Sequence, residues 1–201
     1  MRIILDAGHG GISPFNNEYV TPGKRSPKKE DGTQFYEGVN NRILVDLIYD
    51  ALIDNGFDVV KLVDTWKDVP LSERVRKANE LHREKKSFLI SIHSDAFGNG
   101  QEWTSPKGIT VFTSKGETKS DILARWFHQE LACNFDGISP DRGIKEANFY
   151  ILSKSRCSAL LLELGFHTNR EELRLMEGED WKHRVVKSIV DACSIIELKG
   201  Y

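Results

Sequence analysis

Three short runs constrain this chain more than any other feature: "RIILDA" (2–7), "FLISIHSDA" (88–96) and "ALLLELGF" (159–166). Their apolar residues are close to continuous rather than alternating, the pattern of a strand covered on both faces. A sheet of such strands needs helices above and below it, and the intervening sequence supplies them. Residues 37–55 repeat Ile43, Leu44, Leu47, Ile48, Ala51 and Leu52 at the spacing of one helical face. Gly56 follows where such a helix stops. "PLSERVRKANELHREKK" (70–86) reads as a helix entered through Pro70 with a charged outer side, and further helices are expected near 118–134, 169–176 and 179–196. At 201 residues the chain suits one α/β domain, 1–201, with a central, mostly parallel or mixed sheet flanked by helices on both faces.

The remaining segments fill in that plan. "FDVVKLV" (57–63), "GITVFTS" (108–114) and "FYIL" (149–152) read as further strands, and "DGISPDRGIKEAN" as a loop. A long polar stretch runs from the first strand to about residue 35. It contains "TPGKRSPKKEDG", whose prolines, glycines and charges mark a surface excursion. No internal repeat is present.

A net charge of −2 removes the basic excess that would draw the chain to nucleic acid or anionic lipid. No stretch approaches the ~20 apolar residues of a membrane helix, so no stable membrane association is expected. The start, "MRIILD", lacks the apolar segment and cleavage site of a signal peptide. Cys133, Cys157 and Cys193 are odd in number and far apart; they read as reduced, buried small hydrophobes, with no disulfide framework and no CxxC zinc pair.

In open α/β sheets, sites form beyond the carboxyl ends of the strands. Three polar residues fall at such ends: His9 among Gly8, Gly10 and Gly11, His93 after "FLISI", and Glu163 within "LLLELGF". Glu37 stands at the entry to the first helix. Two histidines with one or two carboxylates suit a catalytic zinc, which takes three protein ligands and keeps a position open. Each has a plainer reading too. His9 could bond local backbone, His93 could be a satisfied strand end, and Glu37 could be an acid favoured by the helix dipole. Glu163 is harder to explain away, since a carboxylate among four leucines is costly to bury without a charged partner.

Taken together, "IILDAGHGG", "EGVNNRILVDLIYDALIDNGFDVV", "LSERVRKAN", "LISIHSDA", "RGIKEANFYIL" and "LLLELGFHTN" resemble the zinc-dependent N-acetylmuramoyl-L-alanine amidases of the Amidase_3 type, nearly end to end. The resemblance implies one zinc ion held by His9, Glu37 and His93, with Glu163 as the catalytic glutamate. It matches Asn41 to an asparagine that recurs one helical turn after the ligand glutamate. It also offers Arg142 and Asn148 as substrate contacts. Glu30 in "KKEDG" is the rival ligand; Glu37 is preferred because a helix begins there and holds the carboxylate rigidly. His167 departs from the family pattern and is read as a polar residue starting the next helix rather than a fourth ligand. His82, His128 and His183 fall within amphipathic helices and are read as surface or half-buried.

The activity so implied is hydrolysis of the amide between the lactyl group of N-acetylmuramic acid and L-alanine of the stem peptide. Zinc would lower the pKa of water from 15.7 toward roughly 7, and Glu163 would act as base and then acid. The rivals are another zinc amide hydrolase, such as a carboxypeptidase or sugar deacetylase, and a non-catalytic wall-binding module of the same fold. The expected partner is peptidoglycan, the expected state a monomer and the expected place of action the bacterial cell wall. The lack of a leader suggests phage-type release or prior trimming.

Overall fold

In the computed structural model, which describes residues 1–200, the three apolar runs lie side by side at the centre of one sheet. They are β1 (Arg2–Ala7), β3 (Ser87–Asp95) and β6 (Ser158–Phe166), and β3 pairs in parallel with both of the others. β2 (Asp58–Lys61) extends the sheet beyond β1 in parallel, and β4 (Ile109–Thr113) extends it beyond β6 in the antiparallel sense. β5 (Asp141–Glu146) forms the far edge, so the order among the described residues is β2-β1-β3-β6-β4-β5. The β4–β6 pairing is the antiparallel one, so β4 and β5 run opposite to the other four strands.

Successive side chains of a strand point to opposite faces, and the core divides on that rule. Ile3, Leu5, Phe88, Ile90, Ile92, Leu160, Leu162 and Leu164 pack on one face, against α1 (Glu37–Asp54), α3 (Ser120–Asn134) and α6 (Glu179–Lys199). Ile4, Leu89, Ala159 and Leu161 pack on the other, against α2 (Leu71–Glu84) and α4 (Tyr150–Lys154). Helices therefore cover both faces. On the second face the pattern turns polar toward the carboxyl ends: Asp6, Ser91, His93 and Glu163 continue the rows begun by Ile4, Leu89 and Leu161.

Four local expectations are corrected. Residues 149–152 are not a strand: Phe149 precedes the short helix α4, whose Ile151 and Leu152 are buried. The segment read as a loop contains β5, which pairs along one side only and is almost wholly exposed. The buried face of α1 is Leu44, Val45, Ile48 and Leu52, leaving Ile43 42% and Leu47 37% exposed. Finally, Cys133 is exposed, while Cys157 and Cys193 are buried.

Glu172 ties the sheet to the last helices. The short helix α5 (Arg170–Met176) starts at Asn169, whose side chain accepts from the Glu172 backbone N–H at 3.0 Å. The buried Glu172 carboxylate accepts from the backbone N–H groups of Gly108 (2.9 Å) and Phe166 (2.7 Å), and from the Ser139 hydroxyl. It thus joins the start of β4, the approach to β5 and the end of β6. Glu172→Ala strands those donors, each at roughly 1–3 kcal/mol. A loss of about 3 kcal/mol or more is expected in a urea titration, and an unchanged midpoint would contradict this account.

Candidate metal centre

The end of β1 turns through Gly8 into His9, whose φ of 64° lies in the left-handed region, a conformation costing an L-residue about 1–2 kcal/mol. Two close approaches explain the surrounding glycines. A Cβ on Gly8 would lie 2.2 Å from the His93 ring, and a Cβ on Gly38 would lie 1.9 Å from the Gly10 carbonyl oxygen. The first lets the imidazole of β3 come against the turn after β1. The second lets the first turn of α1 sit against the same loop, bringing Glu37 in.

The three side chains meet. Glu37 Oε1 lies 3.2 Å from Nε2 of His9 and 3.0 Å from Nδ1 of His93. The two imidazoles stand edge to face, with centroids 4.9 Å apart. One donor atom from each of the three lies within 4.8 Å of the others. Tetrahedral zinc, with bonds of about 2.0–2.1 Å, sets its ligands about 3.3 Å apart. The donor types and the two short separations therefore fit a single divalent ion, with both imidazoles still partly open to solvent. Glu37 itself is buried. Burial alone would raise its pKa, but hydrogen bonds with His9 and His93 outweigh that and hold the carboxyl well below the ordinary range. The Ser94 backbone N–H donates to the same oxygen at 3.3 Å.

Glu163 stands directly opposite His93 in the β3–β6 register, and a bulge follows at once, between His93 and Asp95. Bulges of this kind re-aim side chains beside active sites. Part of the residue is accessible, yet Oε2 is enclosed and has no hydrogen-bond partner. Burial, then the charges of Glu37 and Asp95, push the Glu163 carboxyl well above the usual range. A carboxyl of raised pKa beside a cation site is suited to taking and returning a proton.

A cavity of about 380 Å³ opens beside His9 and His93, with Val69, Pro70, Leu71 and Ile151 as its apolar wall and Asp6, Asp68 and Arg74 as its polar one. A broader groove of about 830 Å³ runs between the 12–35 excursion and the 97–107 loop, lined by Arg25, Gln34, Asn99, Gln101 and Trp103 among others.

The other candidates are not among the three clustered side chains. Glu30 is exposed and pairs with Arg170 at 2.7 Å. His167 does not start a helix, because Asn169 does. It is 1% exposed, bonded through Nδ1 to the Ser94 hydroxyl at 3.0 Å and stacked near Phe35, and burial lowers its pKa, which favours the neutral ring. Asn41 donates to the Gly8 carbonyl at 3.3 Å. Arg142, on β5, donates to the Lys107 carbonyl at 3.2 Å and lies over the Phe166 ring; Asn148 is exposed between β5 and α4. Neither lines the cavity beside the histidines.

Sequence reasoning missed Arg42 and Arg74, although both lie in segments that carried the resemblance. Arg74 is buried and bonds Asp6 at 2.7 Å, while Asp6 also accepts from the Ser91 hydroxyl. The signal available was Asp6 itself, an acid closing an apolar strand and therefore in need of a cation.

A family profile described as N-acetylmuramoyl-L-alanine amidase, Amidase_3, matches residues 3–194. The chain is 26% identical over 193 residues to protein YqiI of Bacillus subtilis, covering 94% of this chain and 81% of that protein. It is 29% identical over 193 residues to N-acetylmuramoyl-L-alanine amidase LytC of Bacillus subtilis, covering 94% of this chain but 34% of LytC. Among solved structures, the N-acetylmuramoyl-L-alanine amidase from Clostridium difficile 630 superposes with a TM-score of 0.82 at 25% identity, over 100% of this chain and 98% of that one.

The packing of His93 on Gly8 generates a direct test. Gly8→Ala displaces the ring, so metal content measured by elemental analysis after zinc loading is expected to fall while thermal unfolding stays cooperative. Full occupancy in that variant would contradict the geometry.

Proposed function

The chain belongs to the N-acetylmuramoyl-L-alanine amidase family Amidase_3, and from that premise we propose that it is a zinc-dependent peptidoglycan hydrolase. The bond cut is the amide between the lactyl group of N-acetylmuramic acid and L-alanine of the stem peptide. The observation that carries this reading is the meeting of His9, Glu37 and His93 beside a buried, unpartnered carboxyl oxygen of Glu163.

In this reading His9, Glu37 and His93 would hold the ion. Zinc in such a set supplies Lewis acidity toward a carbonyl and lowers the pKa of water to about 7. The protein's own part is positional and protonic. Two imidazoles and one backbone N–H face Glu37 and favour its ionised form. Glu163 takes the proton of the attacking water on its free oxygen and returns it to the departing amine nitrogen. Burial raises its affinity for that proton, which suits it to carry the proton between the two transfers. The apolar wall of Val69, Pro70, Leu71 and Ile151 beside the two histidines suits the alanine and lactyl methyl groups.

Residues 1–201 act in this proposal as a single catalytic domain on wall peptidoglycan, which sets the place of action at the bacterial wall. Arg142 and Asn148, with the groove between the two polar loops, provide the wider substrate surface. Among the described residues no helix is long and apolar enough to cross a membrane.

The deciding experiment is digestion of purified murein followed by mass spectrometry. New amino termini on alanine are expected; loss of acetate instead would mark a sugar deacetylase, and no release at all a binding module. A chelator is expected to stop release and added zinc to restore it. Glu163→Gln should keep its zinc and lose about 10²–10⁴-fold in turnover, the usual reach of general acid–base catalysis. His93→Ala should lose the zinc itself. Near-normal turnover in Glu163→Gln would remove the glutamate from the mechanism.

A further inference from the structure

Of the three side chains in the cluster, His9 has the backbone most in need of support. Its left-handed φ is one that an L-residue leaves unless its surroundings hold it there. The His9 carbonyl oxygen accepts from two guanidiniums, through Nη2 of Arg42 and Nη2 of Arg74, each at 2.9 Å. They arrive from different helices, Arg42 from α1 and Arg74 from α2. Arg74 also donates to the Ala7 carbonyl, and Asn41 to the Gly8 carbonyl. Three successive carbonyls of the turn are therefore held by side chains.

Two cations on one oxygen repel each other, and burial followed by the Arg74 charge lowers the pKa of Arg42. Asp6 at 2.7 Å and Asp68 at 3.6 Å from Arg74 offset that repulsion. Other donors are used too: Arg42 bonds the Gly38 carbonyl at 2.8 Å and the Thr65 carbonyl at 2.9 Å, and Arg74 bonds the Val69 carbonyl at 2.8 Å. Each planar fork spans carbonyls on separate segments, which the single point charge of a lysine cannot do.

We propose that Arg42 and Arg74 are positioning residues for the metal centre, clamping the His9 carbonyl from two helices so that the left-handed turn aims Nε2 of His9 at the point it shares with Glu37 and His93. The Arg42 contact with Gly38 makes the clamp bidirectional. The side chain that fixes His9 also grips the residue after Glu37, so two ligands from opposite ends of a long connection are set by one guanidinium. This inference rests on the metal-centre reading given above.

The test uses metal-free wild-type protein, Arg42→Lys, Arg42→Gln and Arg74→Lys, each titrated with zinc against a chromogenic chelator. Cobalt absorption spectra and thermal unfolding are recorded in parallel. The Arg42 variants are expected to unfold cooperatively, bind zinc about 10–100-fold more weakly, as loss of outer support to a ligand does, and show altered cobalt bands. Arg76→Gln, on the exposed side of α2, should match wild type. If Arg74→Lys fails to fold with Asp6 left buried, the Arg42 variants decide the matter. Zinc affinity and cobalt bands equal to wild type in Arg42→Gln would overturn the clamp. So would a weakening that leaves the bands unchanged and merely tracks stability. A wild type that takes up no zinc would instead overturn the metal-centre reading, and this inference with it.

Discussion

A carboxylate removed from water must be paired, and Glu37 is removed from water with two imidazoles and one backbone N–H as its company. That requirement organises the molecule. One imidazole follows the end of β1 and the other lies in the neighbouring parallel strand β3, so the turn after Ala7 must stand level with His93. The carboxylate belongs to the first turn of α1, so that helix must begin directly over those ends. A connection of nearly thirty residues separates His9 from Glu37, yet Gly38 against the Gly10 carbonyl, together with the arginines, brings its two ends into contact.

What lies beneath is a graded layer. On the face covered by α2 and α4, the strand rows pass from Ile4, Leu89 and Leu161 to Asp6, Ser91 and Glu163 over a single step. Asp6 and Arg74 occupy the boundary as a buried pair. Such a pair adds little net stability over an apolar replacement, but removing one partner costs about 3–5 kcal/mol because the other charge is stranded. The pair is better understood as fixing where the core stops and the polar site begins.

Much of this was legible in the sequence. The near-continuous apolar runs identified the central strands, and their polar ends identified His9, His93 and Glu163 as residues that the core alone does not explain. The parts that escaped did so for physical reasons. "DRGIKE" carries little apolar signal because β5 pairs on one side and faces solvent elsewhere. "FYIL" is four apolar residues in a row, a length at which periodicity cannot separate strand from helix. In α1 the apolar residues spread around more than one face, and the buried stripe is the one that continues Glu37 and Asn41 into Leu44, Val45, Ile48 and Leu52. Ile43 and Leu47 lie off that stripe. Arg42 and Arg74 stayed hidden because a basic residue on a helix usually reads as surface, and nothing local says that its carbonyl partners lie on another segment.

The pairing of His93 with Glu163 across β3 and β6 carries one more consequence. Strand registry has a period of two, so a slip by a single residue would turn Glu163 into the leucine layer and Leu162 or Leu164 out of it. A slip by two would keep both apolar rows on their faces and still move Glu163 away from His93. The placing of the glutamate beside the histidine therefore rests on the exact β3–β6 register, and the bulge between His93 and Asp95 marks where that register ends.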